Sequence, residues 1–151
     1  MHSVVRRYIK TAIGFLVIGL LIGGWMIVGR ELGNRDPTSF QTSAHTHAIF
    51  VGFVMMMILG VALWLFPRPD KTDTQYRPAL VEGAYWLLTA GTAVRVAGEL
   101  MRPTTDAYWL RWGVAASGLV QIAGLLLYFY TMWPRIRSVG SQVREAKGER
   151  F

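Results

Sequence analysis

The chain contains no cysteine. This excludes disulfide bonds, metal sites built from thiolates and the covalent attachment of a c-type heme. Charged residues are also scarce, at 17% of the 151 residues, whereas a soluble domain usually carries about 25%. Hydrophobic residues make up 52%. The composition therefore argues against an ordinary water-soluble domain and indicates a protein of the lipid bilayer.

Apolar residues are concentrated in four long runs, and each is close to the length that a bilayer requires. The predicted spans are residues 4–30, 37–66, 79–101 and 107–133. Asp36 is predicted to cap the second helix, with Pro37 at its first position, and Asp106 is predicted to cap the fourth. We therefore expect an all-α fold, an integral membrane four-helix bundle formed by residues 1–137, followed by a polar cytoplasmic tail at 138–151.

Lysine and arginine predict the orientation of these spans, because cytoplasmic loops are enriched in both. Eleven of the 16 basic residues fall on the side of the two termini. The other five are Arg30, Arg35, Arg95, Arg102 and Arg111. Both the N and C termini are therefore predicted to be cytoplasmic, in the cytoplasmic membrane of a bacterium or archaeon. The net charge of +7 flanks the apolar runs, so we expect no nucleic acid as a partner.

The start of the chain does not resemble a cleavable signal peptide. A basic stretch with Arg6, Arg7 and Lys10 precedes an apolar run over residues 12–28. This run is longer than the apolar region of a signal peptide, and no small-residue cleavage site follows it. We expect it to be the first spanning helix.

Two of the three histidines, His45 and His47, lie in the non-cytoplasmic half of the second predicted helix. Positions i and i+2 are about 200° apart on an α-helix, so the two imidazoles should point in nearly opposite directions. They cannot chelate one small metal ion together, but they can serve two cofactors or two interfaces. Imidazole is a common axial ligand of heme iron. The alternative is that both histidines form hydrogen bonds to neighbouring helices.

A charged stripe lies near the same membrane face. Arg95, Glu99 and Arg102 follow one another at helical spacing on the third predicted helix, and Arg111 opens the fourth. An arginine within a span costs about 2.5–3.5 kcal/mol on the insertion scale, so a partner should compensate for it. Heme propionates would suit Arg95, Arg102 and Arg111. An internal pair between Arg95 and Glu99 is the alternative.

The second predicted helix resembles a helix of a known protein family. The pattern runs from His45-Thr46-His47 through twelve residues to Gly60 and through six more to Pro67. It is similar to the tenth helix of the catalytic subunit of heme-copper oxidases and nitric oxide reductases. In that family the first histidine of the pair ligates the high-spin heme and the second ligates the low-spin heme. Its twelve helices form three four-helix units, and this chain looks like one such unit.

The resemblance implies a membrane protein that binds heme b for electron transfer, with His45 and His47 as metal ligands. In a homo-oligomer, of which a trimer is the favoured form, His45 of one protomer and His47 of its neighbour would ligate heme at the subunit interfaces. The electron donor would be a quinol or a cytochrome.

One departure from the family limits what the resemblance implies. The family's copper site needs three further histidines, and the only other histidine here is His2. We therefore expect no copper and no oxygen reduction of the oxidase type, and the sequence leaves open whether the chain is an enzyme. Two alternatives stay open, a heme protein that binds nitric oxide or oxygen and a cofactor-free accessory subunit.

Overall fold

A computed structural model of the chain describes residues 3–66, 77–136 and 147–148. Four helices account for most of these residues, and no strand occurs among them. The helices are α1 (Ser3–Glu31), α2 (Ser39–Leu65), α3 (Pro78–Met101) and α4 (Tyr108–Met132), and a short 3₁₀ turn over Trp133–Arg135 follows α4. The all-α class and the four helices predicted from the sequence are confirmed. Most of the predicted tail, and Pro67 at the end of the histidine pattern, lie outside the described residues.

Three of the four helices are long and apolar enough to cross a membrane. These are α1, α2 and α4 with the turn that follows it. The helix α3 is 24 residues long, but it carries Arg95 and Glu99 in its second half and does not belong to this set. The chain is thus an integral membrane protein by the length and composition of three helices, and a span formed by α3 remains a proposal.

The ends of two helices differ from the sequence prediction. The side chain of Thr38, and not that of Asp36, caps α2 by accepting a hydrogen bond from the Gln41 backbone, while the Gln41 side chain accepts one from the Thr38 backbone. This reciprocal capping box satisfies two backbone donors that a helix start leaves open. No side chain caps α4, because Asp106 is engaged with two arginines instead. The predictions that Asp36 and Asp106 serve as caps are therefore wrong.

Consecutive helices pack antiparallel, and the bundle has two distinct halves. The half that contains Tyr8, Tyr85 and Tyr128 is called the tyrosine end, and all four helices contribute to its core. The opposite half, which contains His45 and His47, is called the histidine end. Its smaller core comes from α1, α2 and α3 and comprises Ile22, Ala44, Ala48 and Val96. The histidines thus lie where the bundle is less completely packed.

Three buried tyrosines join the helices at the tyrosine end. The ring of Tyr8 lies edge-on to Tyr85 and Tyr128, with centroid distances of 5.2 and 6.0 Å. The Tyr128 hydroxyl donates to the Leu59 carbonyl oxygen at 2.7 Å, and the Tyr8 hydroxyl donates to that of Val81 at 3.3 Å. Each ring therefore buries a large apolar area while its hydroxyl keeps a partner, which is the arrangement that makes a buried tyrosine stable.

The middle of α2 is a π-helix from His47 to Met55. Buried residues recur there every four positions, at Ala44, Ala48, Gly52, Met56 and Gly60. An α-helix turns about 100° per residue, so such a stripe would drift by about 40° at each repeat. The wider π turn holds the stripe on one side of the helix. Segments of this kind occur frequently at functional sites, and this one begins at His47.

Candidate functional site

His45 lies between α1 and α2 and is partly buried. Its Nδ1 atom lies 2.9 Å from the carbonyl oxygen of Gly19. A carbonyl oxygen only accepts, so Nδ1 carries a proton, and in the neutral ring Nε2 keeps its lone pair. The absence of a side chain at Gly23 makes room for the ring, because a Cβ atom there would lie 2.8 Å from His45 Cε1. The glycines of α1 thus hold the imidazole in one orientation.

His47 is held in the same tautomer by its own helix. Its Nδ1 atom lies 2.8 Å from the carbonyl oxygen of Ser43, one turn earlier. The same nitrogen lies 3.3 Å from Oε2 of Glu99 on α3. With Nδ1 as the donor, Nε2 of the neutral ring again keeps its lone pair. Within the described residues, neither His45 nor His47 uses Nε2 in a hydrogen bond or ion pair.

The two imidazoles face different helices, as the spacing predicts. His45 contacts α1 and His47 approaches α3. No single small ion can therefore take both rings as ligands within one chain. In the described part of the chain, no group of three or more histidine, aspartate or glutamate side chains could hold a metal ion.

A polar cluster joins α2 to α3 beside His47. Glu99 is buried, with 2% of its surface exposed. Its Oε1 atom accepts hydrogen bonds from the hydroxyl of Ser43 at 2.8 Å and from Nε of Arg95 at 3.1 Å. The internal pair between Arg95 and Glu99, which the sequence left as an alternative, is present. Because both groups share one low-dielectric region, each compensates the charge of the other.

The guanidinium of Arg95 also contacts α4. Its Nη1 atom packs against the Cα of Gly118 so closely that a Cβ atom there would overlap it. The side chain of Arg95 is 25% exposed, so part of the guanidinium remains accessible at the surface of the bundle. Arg95 therefore joins α3 to α4 at the histidine end and still presents a donor surface.

Arg102 and Arg111 lie apart from this cluster and share Asp106 in the connection between α3 and α4. Arg102 pairs with one carboxylate oxygen, and Arg111 pairs with both. The guanidinium of Arg102 also lies 4.8 Å from the centre of the Phe40 ring, a cation–π contact that ties this connection to α2. Two arginines and one aspartate leave a net positive charge at this end of the bundle.

A cavity of about 240 Å³ opens where α1 and α2 meet their connection. Trp25 and Met26 line it from α1, and Thr38 and Gln41 line it from the other side. Gln41 precedes His45 by four residues and so lies on the same face of α2. The cavity therefore adjoins the face of α2 that carries His45.

Comparison with known proteins places the chain in a family. The family model described as a domain of unknown function, DUF8744, matches residues 1–135. The chain belongs to this family. The match includes both histidines, Glu99 and the three arginines predicted as site residues, so the whole candidate site lies within the family domain.

A more distant similarity connects the chain to an oxidase subunit. The chain is 20% identical over 157 aligned positions to the Cbb3-type cytochrome c oxidase subunit CcoN1 of Stutzerimonas stutzeri. The alignment covers 89% of this chain and 33% of that protein, so the chain spans about a third of the length of this relative. No solved structure matches. The similarity supports a distant relationship to the oxidase family that the histidine pattern of α2 resembles.

Sequence reasoning did not connect Ser43 or Glu99 with His47. Ser43 precedes His47 by four residues. This spacing places both side chains on one helix face, so their proximity could have been predicted. The contact with Glu99 had no such signal, because 52 residues separate it from His47 along the chain and only the packing of α3 on α2 joins them.

Proposed function

We propose that this protein binds heme b in the membrane for electron transfer, with His45 and His47 as axial ligands. The observation that carries the proposal is that both imidazole rings make the same kind of hydrogen bond. Each donates from Nδ1 to a backbone carbonyl oxygen, so that the neutral ring can ligate a metal through Nε2. Histidines that ligate metals typically have this arrangement, with the other ring nitrogen bonded to a carbonyl or carboxylate. The residues present therefore fit heme.

The choice of heme over another cofactor rests on three further points. The similarity to a cytochrome c oxidase subunit supports a role near electron transport. The chain has no cysteine, so the heme would be held without covalent bonds. Two histidines that face different helices suit two irons with one ligand each, and do not suit a compact metal site. When bound, heme would supply reversible one-electron chemistry.

The opposed directions of the rings favour an assembly of several copies. If each iron takes one histidine from this chain, a second axial ligand must come from elsewhere, and another copy supplies it most simply. In a closed ring, His45 of one protomer and His47 of the next would ligate the same heme. A trimer matches the three four-helix units of the resembled catalytic subunit. A quinol or a cytochrome would donate the electron.

The arginines of the histidine end would bind the heme propionates. Arg95 is partly exposed although it pairs with Glu99, and Arg102 and Arg111 share a single carboxylate. These three groups thus retain donors for an anionic ligand. We also propose that α3 crosses the membrane as a fourth span, with both termini in the cytoplasm of a bacterium or archaeon.

The absorption spectrum of the purified protein tests this proposal. After addition of hemin in detergent, the reduced-minus-oxidised spectrum should show low-spin heme b that does not respond to carbon monoxide. His45→Ala and His47→Ala should each lose heme or yield five-coordinate iron. His2→Ala is the matched control, since it removes the third histidine, and its spectrum should equal that of the natural protein.

Three other results would contradict the proposal in different ways. A carbon monoxide shift in the natural protein would indicate an open iron position and favour gas binding. A colourless preparation would leave a cofactor-free accessory subunit. Heme bound with two histidine ligands in a protein of monomeric mass would refute the shared interface.

A further inference from the structure

The two carboxylate oxygens of Glu99 differ in their hydrogen bonds. Oxygen Oε1 accepts from Ser43 and Arg95. Oxygen Oε2 is buried and has no hydrogen-bond partner among the described residues, although Nδ1 of His47 lies only 3.3 Å away. A buried acceptor without a partner costs free energy, and such groups are rare in folded proteins. The free oxygen is therefore directed at one atom, the protonated nitrogen of His47.

Three oxygen atoms thus lie within reach of the Nδ1 proton of His47: the carbonyl oxygen of Ser43, its hydroxyl oxygen at 3.3 Å and Oε2 of Glu99. The carbonyl oxygen of Ser43, at 2.8 Å, holds it in this structure, and the carboxylate of Glu99 stands beside it. A small rotation of the ring would transfer the hydrogen bond from the neutral acceptor to the anionic one. A carboxylate bonded to a ligating imidazole fixes the ring and increases its basicity toward the metal.

We propose that Glu99 is the positioning residue of His47. Its carboxylate orients the imidazole, keeps the proton on Nδ1 and increases electron donation from Nε2 to a bound iron. Ser43 and Arg95 hold Oε1 and so leave Oε2 for His47. This inference rests on the proposed binding of heme and goes beyond it, because it assigns a task to a residue that does not touch the cofactor.

His45 provides the contrast within the same chain. Its Nδ1 donates to the neutral carbonyl oxygen of Gly19. His47 has a carbonyl and a carboxylate. The two imidazoles are thus unequal donors to iron, and His47 is the stronger one. Greater electron donation by an axial ligand stabilises ferric over ferrous heme and lowers the reduction potential.

Glu99→Gln tests the inference because glutamine keeps the shape of the side chain and removes its charge. The test uses the full-length protein loaded with heme, and compares its reduction potential and low-spin electron paramagnetic resonance spectrum with those of the natural protein. We expect a more positive potential and a wider spread of g values, since His47 becomes a weaker donor. Glu82→Gln is the matched control. It removes the same charge from α3, roughly 25 Å away at 1.5 Å per residue, and should change neither quantity.

Ser43→Ala provides a second test with the opposite sign. Loss of the hydroxyl removes one donor to the carboxylate, which should then accept more strongly from His47 and shift the potential to a more negative value. If Glu99→Gln does not fold, as judged by gel filtration and circular dichroism, Ser43→Ala decides the question.

The outcomes separate this inference from the proposed function. A natural protein that binds no heme refutes the proposed function and, with it, the role of Glu99. A natural protein that binds heme, together with a Glu99→Gln variant of unchanged potential and g values, refutes only the positioning role. If Glu99→Gln lowers heme content but leaves the potential of the remaining heme unchanged, Glu99 serves packing alone and the inference is overturned.

Discussion

Nδ1 of His45 lies 2.9 Å from the carbonyl oxygen of Gly19, across the interface between α1 and α2. The contact is possible because Gly23, one turn along α1, leaves space for the ring. Gly19 and Gly23 thus provide the acceptor and the space that orient the imidazole of a candidate ligand.

Gly23→Ala should therefore disturb His45. The new Cβ atom would lie 2.8 Å from Cε1 of the ring, and overpacking of this kind costs about 1–3 kcal/mol. Thermal unfolding in detergent should show the loss, and heme content should fall with it. The neighbouring Gly24 has open space at its Cβ position, so Gly24→Ala should be neutral or slightly stabilising. Equal behaviour of the two variants would contradict the close contact.

Arg95→Ala should be destabilising because it leaves the buried Glu99 without its charged partner. Removal of one member of a buried pair costs about 3–5 kcal/mol, and we expect the lower end of this range because a quarter of the Arg95 side chain is exposed. Combination with Glu99→Gln should restore part of this loss, since the carboxylate charge is then removed as well. A double-mutant cycle from thermal unfolding measures this coupling. Losses that simply add would show that the two side chains act independently.

Tyr128→Phe tests the core of the tyrosine end. The hydroxyl donates to the Leu59 carbonyl oxygen at 2.7 Å in a buried setting, and loss of such a bond costs about 1 kcal/mol. Stability should fall while any heme spectrum stays unchanged, because the histidines lie at the opposite end. Tyr130→Phe is the control, since that side chain is exposed. A spectral change in Tyr128→Phe would mean that the two ends are coupled.

The absence of cysteine makes the orientation directly testable. Single cysteines can be introduced without removal of any native one, for example Thr104→Cys in the connection between α3 and α4 and Ser141→Cys in the tail. In intact cells, a membrane-impermeant thiol reagent should label the first and spare the second. Labelling of both after membrane disruption is the control. The reverse pattern would place the termini outside the cytoplasm.

Much of the architecture follows from local physical chemistry. The length of the apolar runs predicts the helices, because each must bury its backbone polar groups in the absence of water. The i, i+2 spacing of His45 and His47 predicts that they face different neighbours, since the angle per residue is a property of the helix. The cap at Thr38 was also predictable, because threonine followed three residues later by glutamine is a capping-box pattern.

Other features depend on how the helices meet and had no local signal. The contact between Glu99 and His47 requires a particular rotation of α3 against α2. The sequence could not distinguish whether Arg95 pairs with a ligand or with Glu99. The close approach of Gly118 on α4 helps to determine where its guanidinium lies. Asp106 was suited to cap α4, but two nearby arginines compete for it more effectively.

The π segment over His47–Met55 also helps to set where the two imidazoles point. A π-helix turns less per residue than an α-helix, which turns about 100°. If the same residues wound as a regular α-helix, the part of α2 that carries the histidines would rotate relative to the part that follows Met55. His45 would then leave its pocket against α1, and His47 would leave Glu99.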